Sequence, residues 1–204
     1  MRETVSQISG TVFSVNFGGD GSLVAAGDNG LFKLSTKFTL TSHQPTPHLL
    51  SACFNESDIL KLTKEYISSD QPNTKQWKTS LGFHGATQKL PQLAVTNDRI
   101  LVTAPDKDTV LLYNYDGQLE GQLRSMEGPQ CICCSDNHSI IITSMKASKV
   151  WKLSLPRYIE MWVCDTLVEP TGVCADHLGL IYVCHGALGS GQIAVLSPQG
   201  KSFL

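Results

Sequence analysis

Short apolar runs of four to seven residues recur from one end of the chain to the other, separated by clusters of Gly, Pro, Asn, Asp and Ser. Apolar side chains repeating at three- and four-residue intervals would mark an amphipathic helix, and no 12-residue stretch here holds that period. Runs of this length bounded by turn residues predict strands. The chain is therefore expected to be all-β.

The runs come in a fixed order: an apolar strand, a turn with Asp or Asn, a second apolar strand, a polar turn and a third strand. Five segments share it, beginning near Phe13, Leu50, Gln92, Gln130 and Thr171. With Val15, Ala52, Ala94, Ile132 and Val173 as equivalent anchors, the spacings are 37, 42, 38 and 41 residues. A period of about 40 predicts propeller blades of four short strands. Pro91, Pro129 and Pro170 each stand three residues before an anchor, a place that suits the loop entering a strand.

Fourth strands are expected at 38–43, 76–81, 119–125 and 158–164. The blades then occupy about 9–45, 46–87, 88–125, 126–166 and 167–204 of one β-propeller domain. The fifth repeat stops at "GKSFL", where its outermost strand should start, so residues 3–8, "ETVSQI", are expected to close the last blade. Closure of that kind leaves no unpaired edge.

Composition narrows the class. The 204 residues are 41% apolar with a mean hydropathy of -0.05, and 16 basic against 18 acidic residues leave a net charge of -2. That balance argues against a DNA-binding role. No window approaches 18 consecutive apolar residues, and "MRETVSQISG" lacks the apolar core of a secretory signal. No membrane partner and a cytoplasmic location are the expectations. Seven cysteines, six of them inside apolar runs, suit reduced thiols acting as small hydrophobes. "CICC" at 131–134 has no second ligand pair elsewhere, so no metal site is expected.

Candidate chemistry concentrates in "CHGALGSGQIAVLS", residues 184–197. A nucleophile elbow needs glycines two residues either side of serine, and Ser190 has Leu188 and Gln192 there. A phosphate-cradling loop needs a following helix, whereas "QIAVLS" predicts a strand. No catalytic residue and no cofactor are therefore expected. Propeller loops between second and third strands open on one face. By the repeat alignment these are 27–30, 104–109, 144–149 and 185–191, which gathers Lys107, Lys146 and Lys149 from adjacent blades and sets His185 beside them. Fixed positive charge suits an acidic protein surface or a phosphate backbone. The four arginines do not cluster in sequence, and Trp77, Trp151 and Trp162 sit in strand-like runs where blade packing is the expected use.

The third and fifth repeats resemble the NHL repeat of six-bladed propellers. "EPTGVCADHLGLIYVCHGALGSGQIAVLSPQGKSFL" follows that family's order of proline, Gly-Val, Asp, a Gly-led strand ending in Tyr-Val, a polar loop and a strand closing in Gly-Lys. "LPQLAVTNDRILVTAPDKDTVLLYNYDGQ" repeats most of it. The resemblance spans roughly residues 88–204. It departs from the family where Ala104, Ser144 and His185 replace or adjoin the usual Asp, and five repeats are found instead of six. The chain is thus either five-bladed or an incomplete six-bladed ring.

The resemblance implies a non-catalytic protein-interaction module, as in the C-terminal propeller of tripartite-motif-type ubiquitin ligases, with a protein partner of acidic character. It leaves two alternatives: single-stranded RNA on the same face, and a calcium-dependent lactonase- or esterase-like hydrolase. For the last, the positions before the inner strands are Leu49, Gln92, Gln130 and Thr171, with only Glu127 and Glu169 acidic nearby. No convergent calcium cage is expected from these.

Overall fold

The computed structural model describes residues 10–17, 21–37, 39–46, 48–55, 58–69, 76–81, 90–124, 126–136, 138–187 and 190–203. These form two compact units, 1–88 and 89–204.

The first unit carries two four-stranded antiparallel sheets. One is β1 (Val12–Phe17), β2 (Leu23–Gly27), β3 (Gly30–Leu34) and β4 (Leu40–Gln44), paired in chain order. The other is β5 (Leu49–Asn55), β6 (Asp58–Thr63), β7 (Tyr66–Ser69) and β8 (Trp77–Ser80), again in order. Val24, Ala26 and Leu31 of one sheet pack on Leu49 and Ala52 of the other.

The second unit carries three more such sheets. They are β9 (Leu93–Val95), β10 (Ile100–Ala104), β11 (Thr109–Tyr113) and β12 (Leu119–Leu123); β13 (Cys131–Asp136), β14 (Ser139–Ser144), β15 (Lys149–Ser154) and β16 (Ile159–Cys164); and β17 (Val173–Ala175), β18 (Ile181–His185), β19 (Gln192–Leu196) and β20 (Ser202–Phe203). Each is a meander in which neighbours in sequence are neighbours in the sheet, the order of a propeller blade. Pro105–Lys107, between β10 and β11, is a single 3-10 turn and the only helical segment among the described residues.

Burial explains why period-2 alternation is faint in the middle strands. β2, β10, β11 and β14 are buried along their whole length, so both faces of these middle strands are closed to solvent. Such strands are written as continuous apolar runs. The outermost strands β4, β12 and β16 are mostly exposed; β4 is correspondingly polar, whereas β16 leaves Ile159, Met161 and Val163 exposed. In the second unit Leu101, Val110, Leu112, Ile132, Ile140, Ile142 and Trp151 form one interblade core. Ile141, Val150, Ile181, Val183 and Leu196 form the next.

The five anchors all fall in inner strands, β1, β5, β9, β13 and β17. The four expected outer strands are β4, β8, β12 and β16. The fifth blade supplies its own outermost strand: β20 comes from "GKSFL" and pairs with β19 through Val195–Phe203 and Leu196–Ser202. Residues 3–8, expected to complete that blade, lie outside the described residues.

Candidate functional site: the loop edge of residues 89–204

In a meander blade the loop joining strands two and three lies at the same end as the linker leading into the next blade. Three contacts show this edge directly. Asp108 Oδ1, after the 3-10 turn, accepts from the Gly128 N–H of the following linker at 2.7 Å. Ser144 Oγ, at the end of β14, donates to the carbonyl of Glu127. Gly186, after β18, donates its N–H to Val168 O at 2.7 Å. Lys107, Lys146, Lys149 and His185 all occupy this edge, in or beside the loops between second and third strands.

Their surroundings differ. Lys146 is held: its Nζ lies 3.2 Å from Glu127 Oε1 and 3.4 Å from Asp108 Oδ1. Glu127 foremost, then Asp108, raises the Lys146 pKa above its ordinary value. Gly128 makes this possible. Its φ is +56°, and a Cβ there would sit 2.8 Å from Lys146 Cβ. Lys107 ends the 3-10 turn, exposed, with exposed Asp106 beside it. Lys149 opens β15, exposed, and makes no ion pair among the described residues.

The loops are short and braced. Asp108 and Ser148, each just before a third strand, take left-handed φ of 50° and 51°, a conformation Asp tolerates better than most residues. The Ala147 N–H donates to Ser144 Oγ at 2.9 Å. Between the charges stand exposed Met145 and Val168. Asp165 on the linker after β16 is exposed too, so both signs of charge are interspersed along the edge. Sequence reasoning had singled out the lysines without the carboxylates that face them. The placement of linker residue 127 beside loop residue 146 was the available signal.

His185 is different in kind. It is half-buried, and its Nδ1 is closed to solvent with no hydrogen-bond partner among the described residues. A cavity of about 260 Å³ lies against it, lined by Val168, Gly186, Ala187, Ser190 and Gln192. Ser190 is spent locally, its Oγ donating to Ala187 O at 3.0 Å. Leu188 and Gly189 of the same loop lie outside the described residues.

Among the described residues no three His, Cys, Asp or Glu side chains converge to hold a metal ion. The described cysteines are free thiols. Burial, then the Asp136 carboxylate, pushes the Cys134 thiol up to about 11. No helix among them is long and apolar enough to cross a membrane.

No family model matches the chain, and no curated protein is similar to it. Solved structures are. A protein of unknown function from Bacteroides caccae superposes with a TM-score of 0.75 at 13% identity, over 96% of this chain and 81% of that one. A catalytically inactive histidine-to-alanine variant of virginiamycin B lyase from Staphylococcus aureus, with quinupristin, gives 0.73 at 12%, over 97% and 70%. A functionally unknown protein from Desulfotomaculum acetoxidans gives 0.71 at 13%, over 97% and 70%. The fold is a β-propeller. At these identities the likeness speaks to the fold alone, and propellers host many unrelated activities.

Proposed function

We propose that the chain is a non-catalytic recognition module that binds a protein partner through the loop edge of residues 89–204. The observation that carries this reading is the edge itself. Its short loops are braced by Asp108, Ser144 and the Gly128 linker, and they present Lys107 and Lys149 with Met145 and Val168 between charges of both signs. Rigid loops lose little conformational entropy on binding. Exposed apolar side chains among charges of both signs suit a protein better than a nucleic-acid backbone. Because Glu127 and Asp108 already neutralise Lys146, the partner's carboxylates are expected to meet exposed Lys149 foremost, with Lys107 contributing charge from the same edge.

A photo-crosslinker at position 145 tests this in cells. Protein adducts that disappear in Lys107→Glu/Lys149→Glu support it. Adducts to RNA alone would replace the partner class with single-stranded RNA, and the absence of both kinds overturns the reading.

The cavity at His185 favours a second reading, a lyase-like enzyme, since a lyase of this fold loses activity when one histidine is removed. The other lining side chains, Val168, Ala187, Ser190 and Gln192, do not titrate near neutral pH. His185 therefore has no acid–base companion in the cavity, which is why recognition is preferred. Consumption of quinupristin by the chain, followed chromatographically and lost in His185→Ala, would reverse that preference.

A further inference from the structure

A second cavity, of about 370 Å³, opens between the third and fourth blades. It is lined by Gln122, Leu123, Arg124, Met126, Trp151, Leu153, Arg157, Tyr158 and Glu160. Its size falls in the lower part of the roughly 300–1,000 Å³ range of small-molecule sites. Met126, Trp151 and Leu153 are buried core residues and give it an apolar floor. Arg124 and Arg157, 33 residues apart in sequence, both line it because β12 and the β15–β16 hairpin belong to adjoining blades.

The charge balance of this cavity is open. Arg124 is oriented by Gln122: with its amide oxygen turned toward the guanidinium, Gln122 accepts from Nη2 and Nε at 2.7 and 2.8 Å. Arg157 is exposed and makes no ion pair among the described residues. Among the described lining residues Glu160 is the one carboxylate against two guanidinium groups, and the nearby Asp98 and Glu120 carboxylates are paired with Arg99. The Tyr158 hydroxyl is closed to solvent and has no hydrogen-bond partner among the described residues. Burial raises its pKa, so it stays a neutral O–H donor at neutral pH.

The geometry points to a binding site for a small aromatic carboxylate. The anion would be held between Arg124 and Arg157, and the ring would lie on the Trp151–Leu153–Met126 floor. Guanidinium groups favour this ligand twice, by pairing with carboxylate and by stacking on aromatic faces. Planar delocalised charge beside an apolar floor distinguishes the site from the loop edge, where lysines face solvent.

The test uses phenylacetate, with neutral phenylacetamide as control, on the full chain. The reporter is the Trp151 indole N–H resonance, assigned by its loss in Trp151→Phe. Phenylacetate is expected to shift that resonance and phenylacetamide to leave it nearly unmoved. Arg124→Gln/Arg157→Gln should weaken phenylacetate binding about tenfold or more, as loss of charge-assisted hydrogen bonds implies. Glu160→Gln keeps both arginines and should tighten it by roughly two- to threefold, because a repelling charge is removed. Equal shifts with acid and amide, full affinity in the double variant, or a Trp151 resonance that never moves would each overturn the proposal.

Discussion

Single residues decide how the blades meet. Gly200, in the turn between β19 and β20, has φ +78°, and a Cβ there would lie 2.7 Å from the Trp162 ring. The same turn is gripped from the fourth blade, where Trp162 Nε1 donates to Pro198 O at 3.0 Å. Gly200→Ala combines a left-handed backbone with a collision, so it should cost about 1–3 kcal/mol, measured by denaturant unfolding. The thiols differ by residue as well. Cys174 and Cys184 are exposed, whereas Cys53 and Cys164 are buried. Burial and neighbouring thiols hold Cys133 well above its ordinary pKa. Thiolate is the reactive form, so a thiol reagent on native protein should modify Cys174 and Cys184 first. Rapid labelling of Cys133 or Cys134 without denaturant would contradict this packing.

Elements are joined by a device that recurs between blades. Near the end of β10, Thr103 Oγ1 accepts from the Gln92 N–H at 2.7 Å and donates to Gln130 O of the next blade at 3.2 Å. Near the end of β14, Thr143 Oγ1 accepts from the Cys131 N–H at 3.2 Å and donates to Thr171 O at 2.6 Å. One hydroxyl thus ties a second strand both to its own inner strand and to the entry of the following blade. Both threonines are fully buried. Thr143→Val keeps the shape and strips the hydroxyl, leaving Cys131 N and Thr171 O short of a partner. The expected loss is about 1–3 kcal/mol, read from the shift in chemical denaturation. Cys184 stands at the corresponding place in the fifth blade: the residue after Pro170 donates to its carbonyl, as the residue after Pro129 donates to that of Thr143. The proline positions pointed to these strand entries, but nothing in the sequence marked the threonines that fasten them.

At the scale of the molecule, acid sensitivity follows from two turn carboxylates. Burial pushes the pKa of Asp176 up, but the Leu180 N–H, Tyr182 hydroxyl and Leu178 N–H outweigh it, so the pKa is lowered. Asp136 is likewise lowered: burial raises it, and the His138 N–H, the Ser139 hydroxyl and the Lys152 ammonium more than offset that. A folded pKa below the unfolded value means stability that is present above about pH 4 and lost as pH falls through the folded value. Asp176→Asn should therefore flatten the dependence of the thermal midpoint on pH below about 4. An unchanged acid limb would show that Asp176 has no part in it. The sequence by itself determined the all-β class, the five repeats and their strands, apart from the outermost strand of the fifth. Blade periodicity is local, written in apolar runs and turn residues that act within about 40 residues. It also carried the four loop residues to one edge, because loop position follows from strand order. Tertiary structure alone decided that Lys146 is neutralised by Glu127 and Asp108, that His185 backs onto a cavity, and that Arg124 and Arg157 share one. The physical reason is that charge pairing and cavities depend on which side chains meet across blades. Residues far apart in the chain meet there, and no local pattern records the encounter.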